Sequence, residues 1–565
     1  MTKKLLFLIN KFKKGSYTYL IFALILGAVF ETFSIAAIYP LMKLIMDQNY
    51  YYLLIEKITF LDSFNYNIFV NLSLFTVFMT YFIKLIYLCY LNFVQVKFVA
   101  DIETKSAETL YKAYLSKNYL EMIDKDSGFE TSNIINDSVA FGKAVLVLTT
   151  IIIEITMLLF IALMISFFIG YKTIFVLFFF VVISLIVHNY FKGLFQKWGV
   201  DKRIFHGERL GVLQESMFAY KLIKVMKLEN FFKKKFFPIN INSIEVIRKQ
   251  NFAISLPKIF YEFLAVISFL IIFYYMKLSY SNNEIVPALA IIAATAFRVL
   301  PAFSRLFQSL QGLKYFKKSV ENVYDISKIN PLIVEPSIDE NRKIIFNKVI
   351  EFKNIFFYYP GKKYEIFHNL NFSIKKNEMI GILGESGSGK STFLDIFCGL
   401  IKPQKGEFFV DNKFIKSLDS SWRDNFAYVQ QTTTIFDESF KANIILDRPF
   451  DKKLFLNIIS IVKLDNFLKT LPNSIDTKLG ELGSRISGGE SQRIGIARAL
   501  YRCPSILIMD EPTSSLDSQT ENDLIENLLD LKEKNTSIII SHKFSTLKNC
   551  DKIYEIKNNS MIQKK

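Results

Sequence analysis

The chain has 565 residues, of which 51% are hydrophobic and 15% aromatic, and its mean hydropathy is +0.27. Only 21% of residues are charged, yet the formal charge is +17. This balance argues against an ordinary soluble globule and assigns the excess of cations to a membrane surface rather than to nucleic acid. The four cysteines, Cys89, Cys398, Cys503 and Cys550, lack the paired spacing of a disulfide framework or a zinc site.

Lys3, Lys4, Lys11, Lys13 and Lys14 precede an apolar stretch too long for a cleavable signal peptide, so the first span is expected to stay in the bilayer. A hydrocarbon core asks for about 20 mostly apolar residues per helix. Six stretches meet this, at 17–41, 68–96, 145–169, 173–191, 252–277 and 285–307. The third and fourth are separated by a few residues around Gly170, which reads as a tight hairpin. Residues 97–144 and 192–251 are helix-like but too charged to span, so they extend the helices into water. The N-terminal lysines, the run Lys233-Lys234-Lys235, and Lys202, Arg203, Arg209, Lys221, Lys224, Lys227, Arg248 and Lys249 lie on one side. The connections near 46–67, 170–172 and 278–284 carry few cations. By the positive-inside rule both termini face the cytoplasm. The outer connection 47–64 reads either as an interfacial helix touching lipid tails or as an ordered loop.

Beyond "KINPLIVEP" (328–336) the apolar runs shorten to strand length, in "EMIGILG", "FAYVQ", "SILIMD" and "TSIIIS". Short buried strands alternating with helices predict a parallel α/β sheet. The expected organisation is a six-helix membrane domain over 1–328, a linker over 329–345 and a nucleotide-binding domain over 346–565.

The stretch "GESGSGKS" from Gly384 to Ser391 fits the phosphate-loop pattern G-x-x-x-x-G-K-[ST]. Glycines let successive backbone N–H groups turn toward phosphate oxygens, and the helix that follows adds its N-terminal partial charge. The cradle comprises Gly384, Glu385, Ser386, Gly387, Ser388, Gly389, Lys390, Ser391 and Thr392. Lys390 would neutralise the β- and γ-phosphates, and Ser391 would offer its hydroxyl to Mg²⁺. "SILIMDEP" (505–512) is an apolar strand ending in two acids. Asp510 would hold Mg²⁺ through water, and Glu511 would act as general base on the attacking water.

With "RISGGESQRIGIARAL" (485–500) lying between these two motifs, the chain resembles a half-size ABC exporter: a membrane α-helical domain of the six-span type joined to an α/β P-loop domain. The resemblance implies ATP and Mg²⁺ as cofactors, an active ATPase coupled to transport, and several residue roles. Tyr359 would stack on adenine. Gln431, or its neighbour Gln430, would sense Mg²⁺ and the transport domain, since a proline is common where Gln430 stands. Ser487, Gly488 and Gly489 would close over the γ-phosphate of ATP held by a second subunit. Asp517, in "SSLD", would be the acid of a loop across the dimer seam, and His542 would contact the γ-phosphate. Ile486 and Glu490 depart from the usual Leu and Gln of the signature. The first conserves volume; the second adds an anion near the triphosphate. One cassette per chain implies a C2 homodimer with two shared ATP sites.

Lys84, Lys258, Arg298 and Arg305 fall within the predicted spans. At about 2.5–3.5 kcal/mol each, four lipid-facing cations would cost on the order of 10 kcal/mol. They are expected to line a hydrated passage, or else to snorkel or pair with Glu31, Glu154 or Glu262. Arg298 and Arg305 are seven residues apart, on one helical face, and guanidinium suits phosphate or pyrophosphate. With "FETFSIAAIYPL" (30–41), "LPKIFYE" (256–262) and "FRVLPAFSRL" (297–306), the chain resembles the PglK-type lipid-linked oligosaccharide flippases. This implies a polyprenyl-pyrophosphate glycan moved to the outer leaflet of the bacterial inner membrane, with those four cations offered to the pyrophosphate. Exporters of lipid A-like glycolipids, drugs or peptides are the alternative. A soluble cassette ATPase is incompatible with six spans, and Glu511 favours turnover over a nucleotide-gated channel.

Overall fold

The computed structural model describes residues 1–47, 50–52, 54, 65–123, 127–168, 174–279, 282–328, 344–362, 364–416, 418, 420–480, 486–512 and 536–564. They form two compact units, one of Met1–Lys117 with Asp124–Pro331, the other of Asn118–Ile123 with Leu332–Lys565.

The first unit is helical: α1 (Thr2–Phe12), α2 (Ser16–Ala36), α3 (Ile38–Met46) and α4 (Tyr66–Leu115) precede the short α5 (Tyr119–Ile123), which belongs to the second unit. The first unit continues with α6 (Ser127–Phe168), α7 (Ile174–Phe218), α8 (Tyr220–Met226), α9 (Glu229–Ser279), α10 (Asn282–Tyr315) and α11 (Lys317–Lys328). Among the described residues, five helical stretches are long and apolar enough to cross a membrane: Ser16–Met46, Tyr66–Leu115, Asn133–Phe168, Glu229–Ile271 and Ala288–Tyr315. The span expected at 173–191 falls at the start of α7. At 50 and 51 residues, α4 and α9 are about 75 Å long against a hydrocarbon core of about 30 Å, so the charged parts of these helices project well beyond it.

The first expected span, 17–41, is two helices meeting at Ala37. Pro40 explains the break: it lacks the N–H that would bond to the Ala36 carbonyl, and its ring crowds that turn. The hairpin around Gly170 (169–173), most of the outer connection 47–64 and 329–343 of the expected linker lie outside the described residues.

Two apolar clusters hold the helices together. One joins α1, α2, α4, α6 and α11 through Leu8, Leu24, Phe98, Phe141 and Val323. The other joins α2, α6, α9 and α10 through Ile35, Ile161, Tyr261, Ile291 and Phe303.

The second unit contains two sheets. Strands β1 (Val349–Phe357), β2 (Phe367–Lys375), β4 (Lys405–Val410) and β5 (Lys413–Ile415) form an antiparallel sheet in the order β2-β1-β4-β5. Strands β3 (Met379–Leu383), β6 (Phe426–Val429), β7 (Ile506–Asp510), β8 (Thr536–Ile540), β9 (Lys552–Lys557) and β10 (Ser560–Gln563) form the other, ordered β10-β9-β3-β8-β7-β6. Here β9, β3, β8, β7 and β6 run parallel. All of β8 and nearly all of β3 and β7 are buried, which is why they read as unbroken apolar runs. Helices α12 (Lys390–Phe397) and α13 (Gly488–Tyr501) contribute to the cores on either side.

Candidate functional site

Parallel strands deliver their C-terminal ends to one edge, the usual place for a ligand in an α/β sheet. The order β3-β8-β7-β6 therefore gathers four segments separated in sequence. The glycine loop follows β3, Ser541 and His542 follow β8, Asp510 ends β7 with Glu511 just after it, and Gln430 and Gln431 follow β6.

The loop between β3 and α12 needs its glycines. Gly387 and Gly389 have φ of +82° and +103°, in the left-handed region that glycine tolerates. A Cβ on Gly384 would lie 2.5 Å from Ser388 Oγ. Lys390 Nζ folds back to donate to the carbonyls of Gly384 (2.7 Å) and Glu385 (2.9 Å). Ser388 Oγ is buried and, among the described residues, has no hydrogen-bond partner. An unsatisfied hydroxyl, a lysine resting on its own loop and two left-handed glycines fit a cradle for phosphate oxygens.

Glu511 is held from several sides. Its φ is +48°, a strained value for a non-glycine residue. Its N–H donates to the Ile540 carbonyl (3.0 Å), and Gln492 Nε2 donates to its carbonyl (3.0 Å). At the carboxylate, Gln431 Nε2 donates to Oε2 (2.8 Å), and His542 Nδ1 lies 3.3 Å from Oε1. Of the two glutamines left open by the sequence, it is Gln431 that touches Glu511; the Gln430 side chain accepts from Thr434 Oγ1 at 3.4 Å.

Asp510 accepts from the Tyr428 hydroxyl at 3.1 Å. Burial, then the neighbouring Glu511 charge, pushes the Asp510 carboxyl up, against the opposing effects of Tyr428 and Lys390. Asp395 of α12 is pushed up to about 6 by burial and by Asp510. Burial and Asp510 likewise raise the Tyr428 phenol. Asp395 and Tyr428 line a cavity of about 580 Å³, together with Tyr119 of α5, Gln430 and Arg498.

Tyr359, implied to stack on adenine, is half-buried against the core, its hydroxyl 3.1 Å from Thr392 Oγ1. The exposed aromatic of the pair is Tyr358, at 44%. Ser487 caps α13, and Gly488 and Gly489 form its first turn. Glu490 has a structural part as well: its Oε2 accepts from both the backbone N–H and the hydroxyl of Ser487 (2.8 Å each). The Glu490 N–H returns a bond to Ser487 Oγ at 3.3 Å, completing a capping box. Asp517 lies outside the described residues. Sequence reasoning missed Gln492, Tyr428 and Asp395; the first is buried and carried no local signal.

In the helical unit, three of the four expected cations are matched with carboxylates. Arg298 donates through Nε (2.8 Å) and Nη2 to Glu31 Oε2. Arg305 grips Glu154 through Nε to Oε1 (2.5 Å) and Nη2 to Oε2 (3.3 Å). Lys258 lies 4.0 Å from Glu262 on the same helix face. Lys84 sits 5.0 Å from the Tyr81 ring and within electrostatic reach of Glu31 and Arg298. The expected cationic stripe is thus a mixed one, because Glu31 and Glu154 are buried and an unpaired buried carboxylate is costly. Arg305, Lys258, Glu262, Tyr261, Phe297 and Ser304 line a cavity of about 380 Å³.

A helical unit with membrane-length helices joined to a P-loop unit with these strand ends is the fold of an ABC exporter. Residues 367–514 match the family model described as ABC transporter. The solved structure of a bacterial Atm1-family ABC exporter with ATP bound superposes with a TM-score of 0.80, covering 96% of this chain and 94% of that one at 19% identity. A putative export ATP-binding/permease protein of Rickettsia bellii is 33% identical over 267 residues, 46% of either chain. ABC transporter B family member 14 of Arabidopsis thaliana is 35% identical over 266 residues, 46% of this chain and 21% of its own length. The chain therefore matches less than half the length of these curated relatives.

Proposed function

We propose that the chain is an ATPase coupled to export across a bacterial cytoplasmic membrane, working as a homodimer with both termini in the cytoplasm. The observation that carries this reading is the clamp of Glu511 between Gln431 and His542, on the strand ends beside the glycine cradle. Bound ATP with Mg²⁺ supplies the reactive γ-phosphoryl group. Lys390 turns from its loop carbonyls to the phosphates, and Ser388 Oγ gains a partner. Asp510, Ser391 and Gln431 have the oxygen donors a hard cation takes. Glu511, with both carboxylate oxygens oriented, receives the proton of the attacking water. Ser487, Gly488 and Gly489 offer a second set of N–H donors to nucleotide on the partner copy, with the Asp517 loop at the seam. Tyr359 or its exposed neighbour Tyr358 meets the adenine.

For the substrate, we infer a polyprenyl-pyrophosphate-linked oligosaccharide, flipped from the cytoplasmic to the outer leaflet. Arg298 and Arg305 support it: each guanidinium has N–H donors left after pairing, and Arg305 and Lys258 border an amphipathic cavity. A second reading, export of another amphipathic molecule such as a lipid A-like glycolipid, drug or peptide, is favoured by the pairing itself. Four cations set against three carboxylates keep only one net charge for an anionic substrate.

The test is translocation in proteoliposomes, comparing a polyprenyl-pyrophosphate glycan, lipid A and a cationic dye. ATP-dependent movement of the glycan, lost in Arg298→Ala with Arg305→Ala, is expected. Movement of only the dye or lipid A would replace the substrate while leaving the ATPase reading intact.

A further inference from the structure

A second polar cavity, of about 250 Å³, lies among α6, α7 and the start of α11, outside the predicted spans. Its polar lining includes Asp137, Lys143, Lys202, Arg203, His206 and Ser319. Asp137, only 1% exposed, is already engaged: its Oδ2 accepts from Arg203 Nη2 (2.9 Å) and from Asn322 Nδ2 (2.5 Å). Lys143 and Lys202 have no carboxylate partner among the described residues; Lys202 rests 5.3 Å from the centre of the Tyr315 ring. Burial, and then the nearby Lys143, pull the Lys202 ammonium below its ordinary range.

His206 adds a donor. Its Nδ1 lies 3.0 Å from Arg209 Nη2. A guanidinium only donates, so Nδ1 accepts and the ring proton sits on Nε2. Burial, Arg209 and Lys202 together disfavour a second ring proton, which agrees with that neutral tautomer. The wall is closely fitted, since a Cβ on Gly199 would lie 2.2 Å from the Tyr315 carbonyl oxygen.

Three cations against one committed carboxylate leave two positive charges among the polar side chains of the cavity. We propose that this cavity binds a phosphate-bearing dianion, with Lys143, Lys202 and the His206 ring N–H as its donors. A phosphate or pyrophosphate group fits both the charge and the supply of donors. The proposal does not rest on the export reading, and it leaves two sources for the group, a free anion or a lipid headgroup.

The experiment uses the full chain in nanodiscs in a Lys390→Ala background, so that the glycine cradle contributes equally to every sample. Inorganic pyrophosphate is titrated calorimetrically, and in a parallel arm the thermal midpoint is compared in discs with and without phosphatidic acid. Lys143→Gln with Lys202→Gln should weaken the response at least about 10-fold, while Lys221→Gln, an exposed lysine elsewhere, should not. Loss in the titration identifies a free anion; loss confined to phosphatidic-acid discs identifies a headgroup. In anion-free buffer the double variant should melt higher, because it removes mutual repulsion. A lower midpoint there, no response in either arm, or equal weakening by Lys221→Gln overturns the proposal.

Discussion

Replacing Glu31 by Gln keeps the shape of the side chain but removes the charge that Arg298 grips through two donors. The Glu31 side chain is 8% exposed and that of Arg298 26%. Breaking a buried pair by removing one partner costs about 3–5 kcal/mol. Since Arg298 keeps some access to water, Glu31→Gln should cost about 2–4 kcal/mol. Arg298→Gln strands the more deeply buried carboxylate and should reach about 3–5 kcal/mol. The double substitution removes both charges, so its cost should fall short of the sum by about 2 kcal/mol or more. Thermal unfolding in nanodiscs of the four members of this cycle measures the coupling. The transport readout separates structure from substrate binding: Glu31→Gln makes the passage more cationic and should still move an anionic substrate, whereas Arg298→Gln should not. Additive losses, or a Glu31→Gln midpoint equal to the parent's, would refute the pairing argument.

Gln431→Ala removes the donor on Glu511 Oε2 and should slow steady-state ATP hydrolysis roughly 10²-fold, as misplacement of a reacting group does; unchanged turnover would contradict its positioning role. Asp395, ordinarily near 3.8, titrates at about 6 in the folded chain, so the native state holds a proton that the unfolded state has lost between those values. Stability is therefore gained as pH falls through 6, and the ionised carboxylate is a cost above it. Asp395→Asn should raise the melting midpoint of nucleotide-free protein at pH ~7.5. Two pKa units equal about 3 kcal/mol, reduced by solvent screening at this partly exposed site to about 1–2. The gain should shrink at pH ~4.5, and a pH-independent effect would contradict the assigned cause. Trp422→Ala removes a fully buried ring whose Nε1 donates to the Phe397 carbonyl (2.7 Å). A loss of about 3–5 kcal/mol in thermal unfolding is expected, and an unshifted midpoint would contradict it.

The cradle and the acids of β7 were legible because their chemistry is local: glycines, a lysine and a serine in one loop, and two carboxylates at the end of one apolar strand. Their assembly follows from parallel strand order, which places Gly384, His542, Glu511 and Gln431 at one edge. The ion pairs were not legible in the same way. Glu31 and Arg298 are 267 positions apart, and Glu154 and Arg305 are 151 apart, so no periodicity links them. Composition identifies a costly buried charge but not which helix brings its partner. The break at Ala37 could have been read from Pro40, and the capping role of Glu490 from the Ser-x-x-Glu spacing. The membership of Tyr119–Ile123 in the second unit had no sequence signal: five residues carry neither a span nor a strand pattern.

The central claim is that Glu511, oriented by Gln431 and His542, activates water against nucleotide held in the glycine cradle. Phosphate release from ATP by purified protein in nanodiscs, comparing the natural chain with Glu511→Gln, tests it most directly. The account predicts steady hydrolysis by the natural chain and a fall of about 10²–10⁴-fold in the variant, with ATP-bound dimers accumulating. Rapid turnover by Glu511→Gln, or no hydrolysis by the natural chain, would contradict it.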